Sequence, residues 1–570
     1  MILKFMSANK KLRTHPKSRC DEVSSAVLLS IGAQRIKTYV STEAQKNSAR
    51  HPLADRDLGR VLVALLAGAF ANLAFAPFYF FPAALISFSI FYFLLGLARK
   101  KKEIFWLGFS FGFGHFLAGI YWIAESLLVD AAQFGWLIPF ALTIIPSILA
   151  LYVALFALTY KYFSIHKKAY QKILIFALCW LAFEVLRSNL FSGFPWNLLG
   201  YIWLFDPHFA QLGSVFGIYG LSFFAALISL SPVLVLRKKS LRSDKIFLVS
   251  LLCFLLANLV FGFLYIDDKK IITDHQTKLR LVQANIKQNL KWDEREKYEH
   301  FLQHIKLTNS KDLSDVKAVI WSETSVPYVI DDNPMLMHHL KQAVPPHGLL
   351  ITGGLRLEEK KVWNSIFVLN QNGVTQYYDK HHLVPFGEYV PFHRFLSFLF
   401  LDKVVDDITG GGEGFSEGEG AQSLVTEDFS FSPLVCYEVI FSREVVDNKH
   451  LPDLLINLTN DAWFGNSSGP HQHFDMARMR TIEYGIPLVR VANTGITALV
   501  DPFGRIIRKI NLNQSEVVDV SLIKNSSTTV YATYGYAPLV LLLIALASLL
   551  TFVSPQNGNS QSHTNRQAHR

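Results

Sequence analysis

The chain has 570 residues, of which 51% are hydrophobic, 14% aromatic and only 18% charged. Soluble domains carry about 25% charged residues, so this composition excludes a disordered chain, a collagen and an ordinary soluble enzyme. The balance of 55 Lys and Arg against 45 Asp and Glu leaves +10, a surplus that the cytoplasmic loops of a membrane protein account for without nucleic acid as a partner.

Residues 1–57 are polar and basic, and their best apolar run, Ala26 to Ala33, is too short for a secretory core. They read as a disordered cytoplasmic extension or as the product of an upstream start codon. Residues 58–266 form a transmembrane domain of about seven helices, with apolar runs at 58–76, 80–98, 104–123, 134–160, 173–190, 211–236 and 245–266. Between Ala71 and Ile266 the acidic residues are Glu103, Glu125, Asp130, Glu184, Asp206 and Asp244 alone, too few for the polar faces of soluble helices. Basic clusters fall in alternate loops: Arg99 to Lys102, then Lys161 to Lys172, then Arg237 to Lys245. The positive-inside rule puts these loops in the cytoplasm. Seven spans from a cytoplasmic N-terminus then deliver residue 267 onward to the far side, the periplasm of a bacterial inner membrane. Glu184 inside the fifth run is costly in lipid and marks either a functional site or a simple pairing with Arg187. The loop Phe194-Pro195-Trp196-Asn197 reads as an interfacial anchor or as the lining of a lipid entrance.

Residues 267–530 read as one α/β domain, in which short β-rich runs (Leu279–Ile286, Ala318–Trp321, Leu349–Thr352, Ser365–Leu369, Leu434–Tyr437, Leu454–Leu458 and Leu488–Val491) alternate with amphipathic stretches such as 293–308. Within residues 531–570, an apolar run at 537–553 is just long enough to return the chain to the cytoplasm. Cys20, Cys179, Cys253 and Cys436 stand far apart with no CxxC pair, which supports neither a zinc ribbon nor a disulfide framework. His381-His382 and His471/His473 lack a cysteine pair or metal-ligand spacing, so no metal is expected there.

Three segments carry chemistry. In Trp321-Ser322-Glu323-Thr324-Ser325-Val326-Pro327 an acid follows a buried strand directly. Tyr378-Asp379-Lys380-His381-His382-Leu383-Val384-Pro385-Phe386-Gly387-Glu388 sets a lysine and a glutamate around an apolar stretch. In Pro433-Leu434-Val435-Cys436-Tyr437-Glu438 a lone cysteine ends an apolar strand. Singly, each is an ordinary residue. Together they supply a nucleophile, a base to deprotonate it and a cation for an oxyanion. Spacing by itself does not bring the three together.

These segments, WSETSVP, YYDKHHLVPFGEYVP and LVCYEVIF, resemble the Glu, Lys and Cys motifs of the nitrilase (carbon–nitrogen hydrolase) superfamily. HLVPFGEYVP, the polytopic first half and the C-terminal anchor make the chain similar to the apolipoprotein N-acyltransferase family within it. VQANIKQNLKW at 282–292 and INLTNDAWFG at 456–465 fit the same family. The resemblance implies a polytopic α-helical membrane domain plus an α/β nitrilase-like αββα sandwich. It implies Glu323 as general base, Lys380 as oxyanion stabiliser and Cys436 as nucleophile, with no metal or organic cofactor. Glu388, Tyr437, Glu438, Trp292 and Trp463 match supporting positions. The implied donor is a phospholipid, phosphatidylethanolamine first, whose acyl chain passes through a Cys436 thioester. The implied acceptor is the α-amino group of an S-diacylglyceryl cysteine at the N-terminus of an apolipoprotein, and both are held in the bilayer. A membrane-tethered amidase using water, or a transporter or scaffold with an inert domain, is the alternative.

A thioester must be shielded from water. The aromatic stretch from Tyr389 to Leu401 reads as an arm lying on the bilayer. The glycine-rich run from Thr409 to Gly420 lacks a P-loop ending and reads as a hinge or lid.

Overall fold

A computed structural model describes residues 52–237, 241–266, 271–291, 293, 295–330, 334–391, 414–447, 450–525 and 528–552. The chain separates into Met1–Arg60 and Val61–Arg570. Every apolar run of the first half is helical: α1 (Pro52–Ala71), α2 (Pro82–Leu97), α3 (Lys101–Ile120), α4 (Ile138–Ser164), α5 (Ala169–Asn189), α6 (Gly213–Ser229) and α7 (Arg242–Tyr265). Among the described residues six helical segments are long and apolar enough to cross a membrane. The run around α2 is shorter, as its sequence foretells, and so is the last apolar run, which forms a helix over Ala537–Phe552. One face of α7 leaves Ile246, Val249, Leu256, Val260 and Phe263 exposed, the pattern of a helix that meets lipid rather than water.

The second half folds into two six-stranded sheets. One has the order β12-β1-β2-β3-β4-β5 and the other β11-β10-β9-β8-β7-β6. The strands of the first are β1 (Thr273–Gln283), β2 (Val316–Ile320), β3 (Leu349–Glu358), β4 (Lys361–Asn370), β5 (Gly373–Asp379) and β12 (Glu516–Ile523). Those of the second are β6 (Leu424–Val425), β7 (Ser430–Val435), β8 (Leu454–Thr459), β9 (Leu488–Ala492), β10 (Thr497–Val500) and β11 (Ile506–Ile510). Parallel pairs β1–β2, β2–β3, β7–β8 and β8–β9 form the middle of each sheet.

Side chains alternate across a strand, and that period builds the sandwich. Leu454, Ile456 and Leu458 join Leu279, Leu281, Ile320, Ile351 and Ile366 in a core between the sheets. Val282, Val319 and Leu350 point the other way, onto Phe301 and Ile305 of helix α8 (Lys297–Thr308). On the second sheet Leu434, Leu455 and Leu488 face helix α9 (Gly469–Tyr484), and that layer is continuous with the core of the membrane helices. The αββα sandwich is therefore built onto the helical half through α9.

Several polar groups at that junction find partners across it. Trp196 is fully buried and donates to Gln472 at 2.8 Å, so this ring sits inside the junction rather than at a membrane interface. Glu184 accepts from Trp180 at 3.0 Å and from the backbone N–H of Leu199 at 2.7 Å, while Arg187 donates to the carbonyl of Trp196 at 2.8 Å. Glu184 and Arg187 of α5 are thus turned to the 194–199 loop. Glu483 accepts from the N–H of Ile218, at a turn where Gly217 has φ +64 and a Cβ would lie 2.5 Å from the Tyr531 ring.

Candidate active site

The base position is set by the end of β2. Trp321 is fully buried and pinned by its indole to Thr308 at 2.9 Å. The chain then turns, with Thr324 at φ 44 and the Ser325 hydroxyl donating to the carbonyl of Ser322 at 2.6 Å. Glu323 is delivered into the interior, 7% exposed. Its Oε1 accepts from Asn364 of β4 at 2.8 Å, and its Oε2 is buried with no hydrogen-bond partner among the described residues.

Lys380 follows β5 and is 1% exposed. Its backbone N–H donates to the carbonyl of Asn364 at 2.9 Å, and its Nζ bonds both oxygens of Glu388, at 2.9 and 2.8 Å. Glu388 is itself held by the N–H of Val384 at 2.8 Å. Asn364 thus touches Glu323, Lys380 and Glu388 at once, reaching Glu388 at 3.3 Å.

Cys436 follows β7. Its backbone is left-handed, φ 50, a conformation few non-glycine residues adopt and one that clusters at functional sites. The structure therefore corrects the strand expected over Leu434–Tyr437: β7 stops at Val435, and Cys436–Ile440 is a 3₁₀ turn that lifts the thiol off the strand. The Cys436 carbonyl is fastened by His473 at 3.2 Å and Asn457 at 3.4 Å. His473 contacts Asp461 at 2.9 Å, and Asp461 pairs with Arg490 at 2.7 Å, all fully buried.

The three elements meet electrostatically. Burial pushes the Cys436 thiol far above its usual range, the Glu323 charge adds to this, and Lys380 opposes it. Burial raises the Glu323 carboxyl too, against Lys380 and Lys291 and with Glu388. Burial works against the Lys380 ammonium, but Glu388, Glu323 and Cys436 outweigh it and hold its pKa above the usual lysine value. The resting site is thus a neutral thiol facing a buried carboxyl group with one free oxygen, beside a firmly protonated lysine. That arrangement suits proton transfer from sulfur to Glu323 and stabilisation of an oxyanion by Lys380.

Residues 67–231 match the model of the apolipoprotein N-acyltransferase N-terminal domain, and residues 278–530 match carbon–nitrogen hydrolase. An apolipoprotein N-acyltransferase of Rickettsia prowazekii is 38% identical over 493 residues, 85% of this chain and 96% of the relative. The chain belongs to the apolipoprotein N-acyltransferase family. Another relative of that name, from Brucella melitensis, is 36% identical over 85% of this chain and 94% of its own length. A CN-hydrolase superfamily protein of Xanthomonas campestris matches 50% of this chain and 99% of its own at 17% identity and a TM-score of 0.33. As an apolipoprotein N-acyltransferase family member the chain is an acyltransferase enzyme, and its span-length helices make it a multi-pass membrane protein.

In this family member Tyr437 is buried, its hydroxyl 3.4 Å from the carbonyl of Gly193 in the membrane half. Glu438 is fully buried and serves the site from behind. It accepts from the N–H groups of Val435 at 2.7 Å and His381 at 2.8 Å and from the Tyr378 hydroxyl at 2.8 Å, and it pairs with the His381 ring at 2.8 Å. One carboxylate thus ties the turn of Cys436 to the segment of Lys380. Glu438→Ala leaves those donors buried and unpaired, and is expected to destabilise the protein by about 3–5 kcal/mol. A lowered melting temperature in detergent checks this.

Trp463 is 40% exposed, on a 3₁₀ turn whose Phe464 packs against Trp122 at 4.6 Å. Trp292 lies outside the described residues, as do 392–413, which hold most of the arm and the start of the glycine-rich run. The described end of that run is fixed to the site: Phe415 N–H donates to the Glu388 carbonyl at 2.8 Å and Gly418 N–H to the Lys380 carbonyl at 2.9 Å.

Sequence reading missed two residues of the site. Asn364 is an ordinary polar residue of a strand, with no motif around it. Lys291 stands in VQANIKQNLKW beside the aromatic residue that the motif singles out. It is 5% exposed, and its Nζ donates to the carbonyl of Glu323 at 3.0 Å and to the Thr324 hydroxyl at 2.6 Å.

Proposed function

We propose that this enzyme completes bacterial lipoproteins by moving a fatty acyl chain from a phospholipid, phosphatidylethanolamine first, to the α-amino group of an S-diacylglyceryl N-terminal cysteine. Sγ of Cys436 attacks the ester carbonyl carbon while Glu323 takes the thiol proton. Lys380 faces the oxyanion. Collapse breaks the ester C–O bond, Glu323 returns the proton to the departing lysophospholipid oxygen, and a thioester remains on Cys436. The acceptor amine then attacks the thioester carbonyl, Glu323 takes its proton, and the C–S bond breaks with the proton returned to sulfur. An α-ammonium that enters protonated releases one proton to solvent for each amide formed. The chemistry of these side chains is complete without metal or organic cofactor.

The observation that carries this reading is the free, buried Oε2 of Glu323 in the electrostatic field of Cys436 and Lys380. The names of the relatives support lipoprotein N-acylation in general, and the helical half fused to the sandwich gives a reason for substrates that never leave the bilayer. On this reading residues 58–266 and the helix after 531 anchor a catalytic domain, 267–530, on the periplasmic face of the inner membrane. Alkaline phosphatase fused after Asp268 should be active and the same reporter fused after Lys239 inactive; the reverse pattern would remove the orientation.

The activity is tested with purified protein, phosphatidylethanolamine carrying a labelled acyl chain, and two S-diacylglyceryl cysteine peptides. The peptide with a free α-amine should gain one amide-linked labelled chain. The N-acetylated peptide should gain none. Label released as free fatty acid at the same rate with either peptide would mean that water is the acceptor.

A further inference from the structure

Four charged side chains converge on the reacting pair. Glu323 and Glu388 are negative and Lys380 is positive, so these three alone leave a buried excess of negative charge. Lys291 supplies the fourth charge. It comes from a different direction, on the short helix Gln288–Lys291 beyond β1, while Lys380 comes from the end of β5.

Lys291 touches the turn rather than the carboxyl group. Its bonds to the Glu323 carbonyl and the Thr324 hydroxyl close over a backbone that is already left-handed at Thr324. A carbonyl and a hydroxyl carry no full charge, so the ammonium is only partly compensated by what it touches. Its full negative counterpart is the Glu323 carboxylate, and it also acts on Cys436.

The other groups facing Lys291 do not duplicate it. Together with His300, His304, Ser322, Thr324 and Asn493 it lines a small cavity of about 10 Å³ behind the turn. His304 is 2% exposed; burial first, and then the charge of Lys291, hold its pKa down to about 4. Its imidazole is neutral at the pH of the periplasm. Asn364, Lys380 and Glu388 act on the Glu323 carboxyl group itself, Asn364 by a hydrogen bond and the other two by charge. His300 of the same lining stands 3.6 Å from the Glu296 carboxylate, and Lys291 is the cation that touches the turn of the base.

We propose that Lys291 is a positioning residue of this reaction: it clamps the turn that aims Glu323 and faces the Glu323–Cys436 pair with a second positive charge. Burial pulls the Lys291 pKa down to about 8, against Glu323 and Cys436, so the charge is present at neutral pH and lost above it. Below pH 8 it favours the ionised, proton-accepting form of Glu323, which burial alone disfavours. Above pH 8 Lys291 itself loses that charge, so its help to Glu323 ends there.

The inference rests on the acyl-transfer reading, and its test uses the first half-reaction alone so that the acceptor amine adds no titration. Acyl-enzyme formation from phosphatidylethanolamine is timed between pH 6 and 9 for wild type, Lys291→Met and Lys291→Arg. For Lys291→Met a loss of about tenfold or more is expected at pH 6, shrinking below about threefold at pH 9, because the acidic limb moves up by about one unit, each unit being about tenfold in rate. Lys291→Arg keeps the charge and should keep the limb of wild type. Lys291→Gln gives the same reading if the Met variant does not fold. An equal loss at every pH would make Lys291 a merely structural residue and overturn the proposal, and so would an unaltered profile. Absence of any acyl-enzyme on wild type would overturn the acyl-transfer reading itself, and this inference with it.

Discussion

Lys380→Met is expected to lower the rate of acyl transfer by about 10²–10³, the cost of removing one donor from a preorganised oxyanion site. The ammonium is 1% exposed and already locked to Glu388 before substrate arrives, so it needs no reorganisation as charge develops on the carbonyl oxygen. The same substitution has a second effect on stability. It strands Glu388 in the interior without its cation, which costs about 3–5 kcal/mol where a buried pair loses one partner. The two effects separate in a double variant. Lys380→Met with Glu388→Gln should recover much of the melting temperature and none of the activity, because a neutral amide needs no counter-charge but stabilises no oxyanion. Recovery of activity along with stability would mean that Lys380 acts only through Glu388.

Gly353→Ala is expected to reduce activity by about tenfold or more without touching a charged group. A Cβ at this position in β3 would lie 2.4 Å from the backbone nitrogen of Thr324 and 2.7 Å from Cα of Glu323. Both obstacles are backbone, so no side chain can swing aside. The turn must move, and Glu323 moves with it. A displacement of about 1 Å in a reacting group is enough for a loss of this order or greater. Overpacking of this kind costs about 1–3 kcal/mol in stability. Gly354→Ala is the control: there the nearest obstacle is the end of the Ile330 side chain, so it should affect activity far less. Equal losses in the two variants would place the effect in general sheet packing rather than in the base.

Much of the architecture was legible because the signals are local. Runs such as Arg242–Tyr265 are too apolar and too long for anything but a span-length helix. Strands such as Leu454–Thr459, buried on both faces, appear as mainly aliphatic stretches, here interrupted only by Asn457 before Thr459. Helix α9 was not legible. Its sequence, GPHQHFDMARMRTIEY, has the composition of a surface helix, yet every residue of it except His471 is buried. Its polar groups find partners that are remote in sequence, Trp196 for Gln472 and Asp461 for His473, besides local pairs such as Asp475–Arg478. Nothing local announces such pairings. Strands β5, β6, β10, β11 and β12 are also missing from the sequence reading: exposed faces break up the apolar run in β5 and β11, and β6 and β10 are only two and four residues long.

The same division holds at the site. The motifs of Glu323, Lys380 and Cys436 could be read from the chain because each has distinctive neighbours. Their convergence could not, since it depends on Asn364 and Glu438 reaching across strands and on the turn at Thr324. Lys291 was invisible as a site residue for the same reason: its partners, Glu323 and Thr324, lie more than thirty positions away.

The central claim is that Cys436 carries the acyl chain between the two lipids. Purified protein is incubated with phosphatidylethanolamine and no acceptor, digested, and the peptide containing Cys436 is weighed by mass spectrometry. The expected result is the mass of one fatty acyl group on Cys436, lost on hydroxylamine treatment as a thioester would be, and absent from Cys436→Ala. A fatty acyl group on a different residue, or an unmodified Cys436 in protein that still acylates its acceptor peptide, would contradict it.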